Sequence, residues 1–456
     1  MTEVVADVCA DAPPDGDFET APAVPQYWYD ERRGRYWHVT ERGEWVDKSE
    51  KQLVRWLKQS GVRTFADAKG GEAVSPAEEI LIDSETDRRV FYAGPLAGYP
   101  AGLHDMEGSR ILVTKGPKLI EPEAGDWPLL QEFFEKLLSC PKDECDQRVH
   151  FYGWLRHLLE TLYEGYWTRG LCLAIAGEPE SGKSLLLELV KRMSGGRIAK
   201  PYRYMIGQDN FNEEMFEATL LAIDDENADT NIKARRHFAA QIKQIVANGE
   251  ARMRGMHQKA TTLRPIWRLM VCLNMEPDNL MVLPPVDEDI ADKMMLLKGY
   301  SGMKFPRGPA AEHAFFQQLV DELPSFVHWL LNEWELPEEL YGRFGVRHYH
   351  HPELLKVLDE MAPFHRLHEL IEQSVLRTTW YWHGSTSELE RALKDENNGL
   401  LKADRDWIPQ PAWLGRHLER LRKKLGEDRY RLVRSNDARV WHIFRHDYPH
   451  NEDKTQ

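Results

Sequence analysis

The residues from Gly177 to Ser184 read GEPESGKS, which fits the pattern G-x-x-x-x-G-K-[ST]. The apolar run LCLAIA precedes them and SLLLELVKRM follows, so a loop is expected between a buried strand and a helix. Backbone N–H groups of such a loop, together with the helix N-terminus, surround phosphates. Lys183 would reach the β- and γ-phosphates, and Ser184 would bind Mg²⁺. The alternative is a glycine-containing turn with a solvated lysine. The residues predicted to contact the nucleotide are Gly177, Glu178, Pro179, Glu180, Ser181, Gly182, Lys183 and Ser184.

Two further groups of polar residues follow apolar runs. LLAIDDE ends in Asp224, Asp225 and Glu226, and LMVCLN ends in Asn274. An acid at the end of a buried strand holds Mg²⁺, and a neighbouring acid polarises the attacking water. We assign Asp224 and Asp225, with Ser184, to the metal and Glu226 to the water, with the register open by one residue. Asn274 would orient that water, although asparagine also commonly starts a turn.

These groups require an α/β fold with a parallel sheet, because the carboxyl ends of parallel strands meet at one edge. LCLAIA, TLLAIDDEN and LRPIWRLMVCLN are the predicted buried strands. In the N-terminal region, YWYDERRGRYWHV predicts a β-hairpin, and Leu53, Trp56 and Leu57 mark one face of a helix. The predicted segments are a disordered tail at 1–24, a small α/β module at 25–125, a helical segment at 126–170, the P-loop ATPase core at 171–310, a second helical segment at 311–378 and a separate C-terminal unit at 379–447.

Composition limits the class of protein. The chain has 456 residues, so several domains are expected. Five scattered cysteines fit a reducing cytoplasm, and no apolar run reaches the roughly 20 residues of a membrane span. A net charge of -15 argues against a uniformly basic nucleic-acid coat protein, while local basic patches stay compatible with nucleic-acid binding.

The C-terminal unit is one such patch. Ser385 and Glu388 form an S-x-x-E capping box that opens a helix, and PQPAWLGRHLERLRKKLG predicts a second helix. RYRLVRSNDARVWHIFR then reads as two strands around an Asn-Asp turn, which completes the outline of a winged-helix domain. Residues 413–445 hold ten Lys/Arg against four Asp/Glu. A DNA-contacting helix is the functional interpretation, and a helix packed on the ATPase core is the alternative. The predicted DNA contacts on this helix are Arg416, Arg420, Lys423 and Lys424.

The order GEPESGKS, LLAIDDE, KQIVANGEARMRGMHQK and LMVCLN resembles the superfamily-three helicases, in particular the phage and poxvirus-type primase-helicase branch. The resemblance spans about residues 100–447. It implies an AAA+-like ATPase that forms rings, usually hexameric, and moves along one DNA strand. In the family, the third of these motifs forms a hairpin loop that grips DNA in the pore. The residues that match it here are Arg252, Arg254, His257 and Lys259, and an ordinary basic surface loop is the alternative.

One residue departs from the family pattern. Such ATPases usually place an arginine of a neighbouring subunit on the γ-phosphate, a little beyond the sensor strand. Here that segment reads DEDIADKMMLLKGY, with Lys293 where the arginine is expected. Because lysine does not reproduce the planar fork of arginine, either Lys293 serves, or Arg307 or another arginine does, or hydrolysis is weak.

The resulting hypothesis is an ATP- and Mg²⁺-dependent DNA helicase that acts on a single strand or fork during replication of a phage, prophage or mobile element in the cytoplasm of a bacterial host. It would assemble as a homo-oligomer, and a separate primase is a further expected partner, since no primase active site is found. Two alternatives stay open. One is an ATP-switched DNA-binding initiator or defence-system ATPase without unwinding activity, and the other is a small-molecule kinase.

Overall fold

The computed structural model describes residues 25–66, 74–143, 145–224, 226, 232–256, 260–284, 286, 288–360, 363–434 and 439–448. The chain forms two compact units. The first unit holds the described residues up to Leu96, then Pro100–Gly116 and Met256. The second holds Ala97–Tyr99 and the described residues from Pro117 onward, apart from Met256. Apart from Met256, the described residues of the predicted segments 126–170, 171–310, 311–378 and 379–447 fall in the second unit, and the predicted tail at 1–24 lies outside the described residues.

The first unit is a small α/β module. Its elements are β1 (Trp28–Asp30), β2 (Arg35–Val39), β3 (Trp45–Lys48), α1 (Glu50–Gln59), α2 (Pro76–Thr86), β4 (Arg89–Val90), β5 (Tyr92–Gly94), β6 (Gly102–Met106) and β7 (Ser109–Val113). β1 and β2 pair antiparallel, as the aromatic runs around ERRG predict. Ser49 and Gln52 form a capping box at the start of α1. Leu53 and Leu57 are buried on the predicted face, with Tyr27 and Tyr36 in the same core.

The second unit contains the remaining elements. As far as the phosphate loop they are α3 (Pro128–Leu138), β8 (Ser139–Cys140), β9 (Cys145–Asp146), α4 (Arg148–Glu164) and β10 (Cys172–Gly177). Then follow α5 (Lys183–Met193), β11 (Ile198–Ala199), α6 (Tyr202–Met205), β12 (Leu220–Asp224), α7 (Ile232–Ala247), β13 (Ala251–Met253), β14 (Thr261–Leu263), β15 (Arg268–Asn274), α8 (Pro277–Leu280), α9 (Glu288–Ala291) and β16 (Met294–Gly299).

The C-terminal part continues with helices and short strands. The elements are α10 (Pro309–Asp321), α11 (Leu323–His328), a π-helical turn (Trp329–Glu333), β17 (Tyr341–Gly342), β18 (Gly345–Val346), α12 (Pro352–Glu360), α13 (Pro363–Gln373), β19 (Tyr381–Gly384), α14 (Thr386–Lys394), α15 (Lys402–Trp407), α16 (Pro411–Leu425), β20 (Tyr430–Arg434) and β21 (Arg439–Phe444). No helix among the described residues combines the length and the apolar character that crossing a membrane requires.

A five-stranded parallel sheet carries the second unit, in the order β11-β12-β15-β10-β16. The predicted α/β fold with a parallel sheet is therefore confirmed. β10 is buried along its whole length, and β12, β15 and β16 are buried along most of theirs, as is typical of a parallel sheet covered on both faces. The three predicted strands are β10, β12 and β15. The sequence analysis did not predict β11 or β16.

The two predicted helical segments are each interrupted by a short hairpin. In the first, β8 and β9 pair between α3 and α4. In the second, β17 and β18 pair between the π-helical turn and α12. Gly345 has a φ of +87°, a left-handed conformation that glycine adopts without steric cost, so YGRFGV turns back on itself instead of continuing as a helix.

Candidate nucleotide-binding site

The loop Gly177–Ser184 connects the carboxyl end of β10 to the start of α5, in the predicted strand–loop–helix arrangement. Gly182 is the N-cap of α5 and has a φ of +104°. The first helical residue is Lys183, which is 7% exposed. Its Nζ donates hydrogen bonds to Gly177 O at 3.0 Å, to Glu178 O at 2.7 Å and to Ser181 Oγ at 3.3 Å. The lysine ammonium therefore lies inside the loop, beside the N-terminus of α5.

The acidic motif LLAIDDE lies at the same edge of the sheet as the loop Gly177–Ser184. Asp224 is the last residue of β12, and Ser184 Oγ donates to Asp224 Oδ1 at 3.4 Å. Hydroxyl and carboxylate oxygens are the hard ligands that Mg²⁺ takes, so this pair fits the predicted metal site. Glu226 is partly buried, and Asp225 lies outside the described residues.

Asn274 is placed beside the loop by the pairing of β10 with β15. In that register Gly177 is the partner of Asn274, and in the pairing of β12 with β15, Asp224 is the partner of Cys272. Three strand ends, carrying Gly177, Asp224 and Asn274, therefore meet at one edge. The structure brings together the described residues that the sequence assigned to phosphate, metal and sensor.

Two phenylalanines form a wall against the loop. A Cβ built on Gly182 would lie 3.0 Å from Phe133 Cε2 on α3 and 3.0 Å from Phe305 Cζ, in the segment after β16. That segment also donates a hydrogen bond from Ser301 Oγ to Glu178 Oε2 at 3.4 Å. The sequence analysis missed this wall, because Phe133 and Phe305 are far apart in the chain and match no motif.

Lys293 lies at the opposite end of the sheet from the phosphate loop. It immediately precedes β16, whose first residue Met294 pairs with Cys172 at the start of β10. Lys293 Nζ contacts Asp292 Oδ1 at 2.5 Å. The residue is therefore not part of this chain's own phosphate site, and its predicted role in a neighbouring subunit stays a prediction. Arg307 follows Phe305 in the segment that passes the loop, and it is exposed.

The basic motif between β12 and β15 contains a hairpin. β13 and β14 pair antiparallel, with Arg252 opposite Thr262. Arg252 is exposed, and Arg254 follows the end of β13. His257 and Lys259 lie outside the described residues.

The basic C-terminal helix is α16, and the described elements around it follow the predicted helix, helix and strand-pair order. Ser385 and Glu388 form the predicted capping box at the start of α14. Leu414, Leu418 and Leu421 on α16 are buried. The predicted DNA contacts Arg416, Arg420, Lys423 and Lys424 are exposed on α16. The structure adds β19 and α15, which the sequence analysis missed, and the predicted Asn-Asp turn lies outside the described residues.

Comparison with known proteins gives a family match for part of the chain. Residues 175–289 match the model of a family of unknown function, DUF5906. The matched segment begins within β10 and ends in α9. The match therefore covers the loop Gly177–Ser184, the acids at the end of β12, the hairpin β13–β14 and the strand β15 that ends in Asn274. No curated protein sequence matches the chain.

Among solved structures, the apo A form of the NrS-1 C-terminal region matches with a TM-score of 0.52 and 10% identity, over 92% of this chain and 96% of that chain. The apo NrS-1 C-terminal region 305–718 matches with a TM-score of 0.51 and 12% identity, over 92% and 95%. These likenesses show a shared fold. A JCV helicase matches with 12% identity over 49% of this chain and 63% of that chain. Its TM-score of 0.23 is too low to support a shared fold.

Proposed function

We propose that the chain is an ATP-dependent, ring-forming DNA helicase of the superfamily-three type, acting in the replication of a phage, prophage or mobile element in a bacterial cytoplasm. The observation that supports it is the meeting of Lys183, Ser184, Asp224 and Asn274 at one edge of the sheet. Ligands of open α/β sheets bind outside the carboxyl ends of the strands.

Each residue has a distinct proposed task. Lys183 Nζ donates to uncharged loop carbonyls, and a phosphate oxygen is a stronger acceptor because it carries a negative charge opposite to that of the ammonium. Ser184 and Asp224, with Asp225, would hold Mg²⁺, which supplies charge neutralisation at the phosphates. Glu226 would accept a proton from the attacking water. Asn274 would orient that water.

The motor and its nucleic-acid contacts are part of the same proposal. The hairpin β13–β14 would contact the DNA backbone through Arg252 and Arg254, and α16 with β20 and β21 would act as a winged helix. Rings, a hexamer in the resembled family, would place Lys293 of one subunit at the nucleotide of the next. A separate primase remains an expected partner.

The direct test is Lys183→Ala, with Lys191→Ala as the matched control. Both changes remove one lysine from α5, but Lys191 forms an ion pair with Glu188 on the helix surface, worth about 0–1 kcal/mol. We expect Lys183→Ala to lower ATP turnover by about 100-fold or more, since an electrostatic contact to the reacting group is lost. Unchanged turnover in Lys183→Ala would reject the phosphate-loop assignment. Turnover should depend on Mg²⁺, rise with DNA and need no small-molecule acceptor, which a kinase would require.

The alternative is an ATP-switched DNA-binding protein without unwinding activity. The contact of Lys293 Nζ with Asp292 Oδ1 favours it, because this ion pair competes with any γ-phosphate for the lysine. Strand displacement on forked DNA separates the two functions. ATP-dependent DNA binding with no displacement would support the switch and reject the helicase.

A further inference from the structure

A stripe of polar side chains runs along one face of α7. Its members are spaced by four, three and four residues, which places them on the same face of a helix. They are His237, Gln241, Gln244 and, just after the helix, Asn248. The stripe lines a groove of about 750 Å³ that is also lined by Arg252 and Arg254. One wall of this hairpin groove therefore offers amide groups, and another offers guanidinium groups.

Asn212 fixes the guanidinium wall of the hairpin groove. This residue is 4% exposed. Its Nδ2 donates to Arg252 O at 3.0 Å, its Oδ1 accepts from Arg254 N at 2.7 Å, and its N–H donates to Arg254 O at 3.1 Å. A single buried residue thus sets the backbone position of Arg252, in β13, and of Arg254, just after it, both of which contact DNA in the proposed function.

A second groove, of about 900 Å³, lies along α16. Its cationic lining is the exposed face of α16 with two arginines of the neighbouring strands: Arg416, Arg420, Lys423, Lys424, Arg434 and Arg439. Arg434 and Arg439 are direct cross-strand partners, an arrangement that like charges disfavour. The acidic residues of the lining are Asp289 and Glu419, which contact Lys243 at 2.9 Å and Arg422 respectively. This α16 groove therefore keeps an excess of positive charge.

Arg236 joins the two grooves. It lines the hairpin groove, and its Cζ lies 3.3 Å from the ring centroid of Trp413 on α16. Arg416, which lines the α16 groove, has its Cζ 4.8 Å from the same ring. Trp413 thus holds two guanidinium groups near each other by cation–π contacts. Burial, and then the charges of Arg416 and Arg420, lower the pKa of Arg236, so the cluster gains from a nearby anion.

We infer that the two grooves form one continuous track for single-stranded DNA, with Arg236 as a phosphate contact at their junction. The inference rests on the proposed DNA-binding function and adds the path of the strand and a residue that no motif marks. The cations along the track follow the phosphates of the strand. The amides of Gln241 and Gln244 can donate to and accept from base edges, which a single strand leaves open.

The test compares the full-length chain with Arg236→Ala, Arg236→Lys and the control Lys402→Ala in titrations of a labelled oligothymidine at several salt concentrations. Lys402 is an exposed lysine of α15 that lines neither groove. We expect Arg236→Ala to bind about tenfold more weakly at low salt. The slope of log K against log salt should become shallower by about 0.7, the value for one phosphate of a single strand. Arg236→Lys should keep the slope, because it keeps the charge.

The amide stripe gives an independent arm. The double variant Gln241→Ala/Gln244→Ala should weaken oligothymidine binding about tenfold with the salt slope unchanged, because amides carry no charge. Binding of an abasic strand of the same length should not change. Equal loss on both strands would overturn the contact with bases.

Several results would overturn the track. If Arg236→Ala had the same salt slope and DNA affinity as Lys402→Ala, the Arg236–Trp413 contact would only stabilise the fold. A lower melting temperature of Arg236→Ala with an unaltered salt slope would lead to the same conclusion. Tighter binding of duplex than of single strand, with a slope change of about 0.9, would overturn the strandedness. If the wild-type chain bound no strand at all, the proposed function itself would fail, which separates that outcome from failure of the track.

Discussion

Replacing Gly182 by alanine probes the nucleotide site without changing any charge. Gly182 has a φ of +104°, and a Cβ there would lie 3.0 Å from both Phe133 Cε2 and Phe305 Cζ. Phe133 is fully buried, so it has little room to yield. Gly196, between α5 and β11, provides the matched control, because it also has a positive φ of +82° but has no atom within 4 Å of the added Cβ.

The expected magnitudes follow from these two environments. The left-handed conformation costs about 1–2 kcal/mol at either position once a Cβ is present. At Gly182 the contact with the two phenyl rings adds about 1–3 kcal/mol of overpacking. The loop or Phe305 must then move, and the N–H groups proposed to bind phosphate move with the loop. We therefore expect Gly182→Ala to lower affinity for an ATP analogue by about tenfold or more, a loss of at least about 1.4 kcal/mol.

Two measurements on the same samples check this reasoning. A fluorescent ATP analogue reports nucleotide affinity, and thermal unfolding reports stability. Gly196→Ala should lose stability and keep nucleotide affinity, whereas Gly182→Ala should lose both. If the two variants lost nucleotide affinity equally, or if neither did, the phenylalanine wall would not shape the loop.

Two further predictions concern the basic helix α16 and Lys293, the residue proposed to reach the nucleotide of a neighbouring subunit. The double variant Lys423→Ala/Lys424→Ala should reduce the salt slope of single-strand binding by about 1.4, since two phosphate contacts are lost, and an unaltered slope would place the DNA contacts elsewhere. Lys293→Ala should lower ATP turnover with nucleotide affinity nearly kept, measured by steady-state hydrolysis and analogue binding. If Lys293→Ala has no effect on turnover, Arg307→Ala becomes the decisive variant.

The arrangement of the candidate nucleotide-binding site could be predicted from sequence because its parts are local. The loop Gly177–Ser184 carries its own strand and helix, and Asp224 and Asn274 each end an apolar run. Parallel pairing then brings these ends to one edge. β16 was also predictable, because MMLLKG is a short apolar run that ends in glycine.

α7 shows a different limit. Its apolar residues Ala234, Phe238, Ile242 and Ile245 have helical spacing and are buried, so the helix itself was predictable. Its polar stripe was not, since glutamine and asparagine on a helix are ordinarily solvated side chains. Only the tertiary fold shows that this face meets Arg252 and Arg254, and that Arg236 meets Trp413.

The position of α7 connects the nucleotide edge with the inferred DNA track. The chain leaves the acids after β12, forms α7 and enters the hairpin directly afterwards. A helix of 16 residues is about 24 Å long, and its continuous backbone hydrogen bonds make it move as one body. Phe238 and Ile242 are fully buried, so rotation about the helix axis would disrupt packing. If a displacement at the acid end moves α7, it therefore shifts the stripe and Arg236 together. If the two ends are coupled, saturating DNA should stimulate ATP hydrolysis less in Arg236→Ala than in the control Lys402→Ala, and equal stimulation would contradict the coupling.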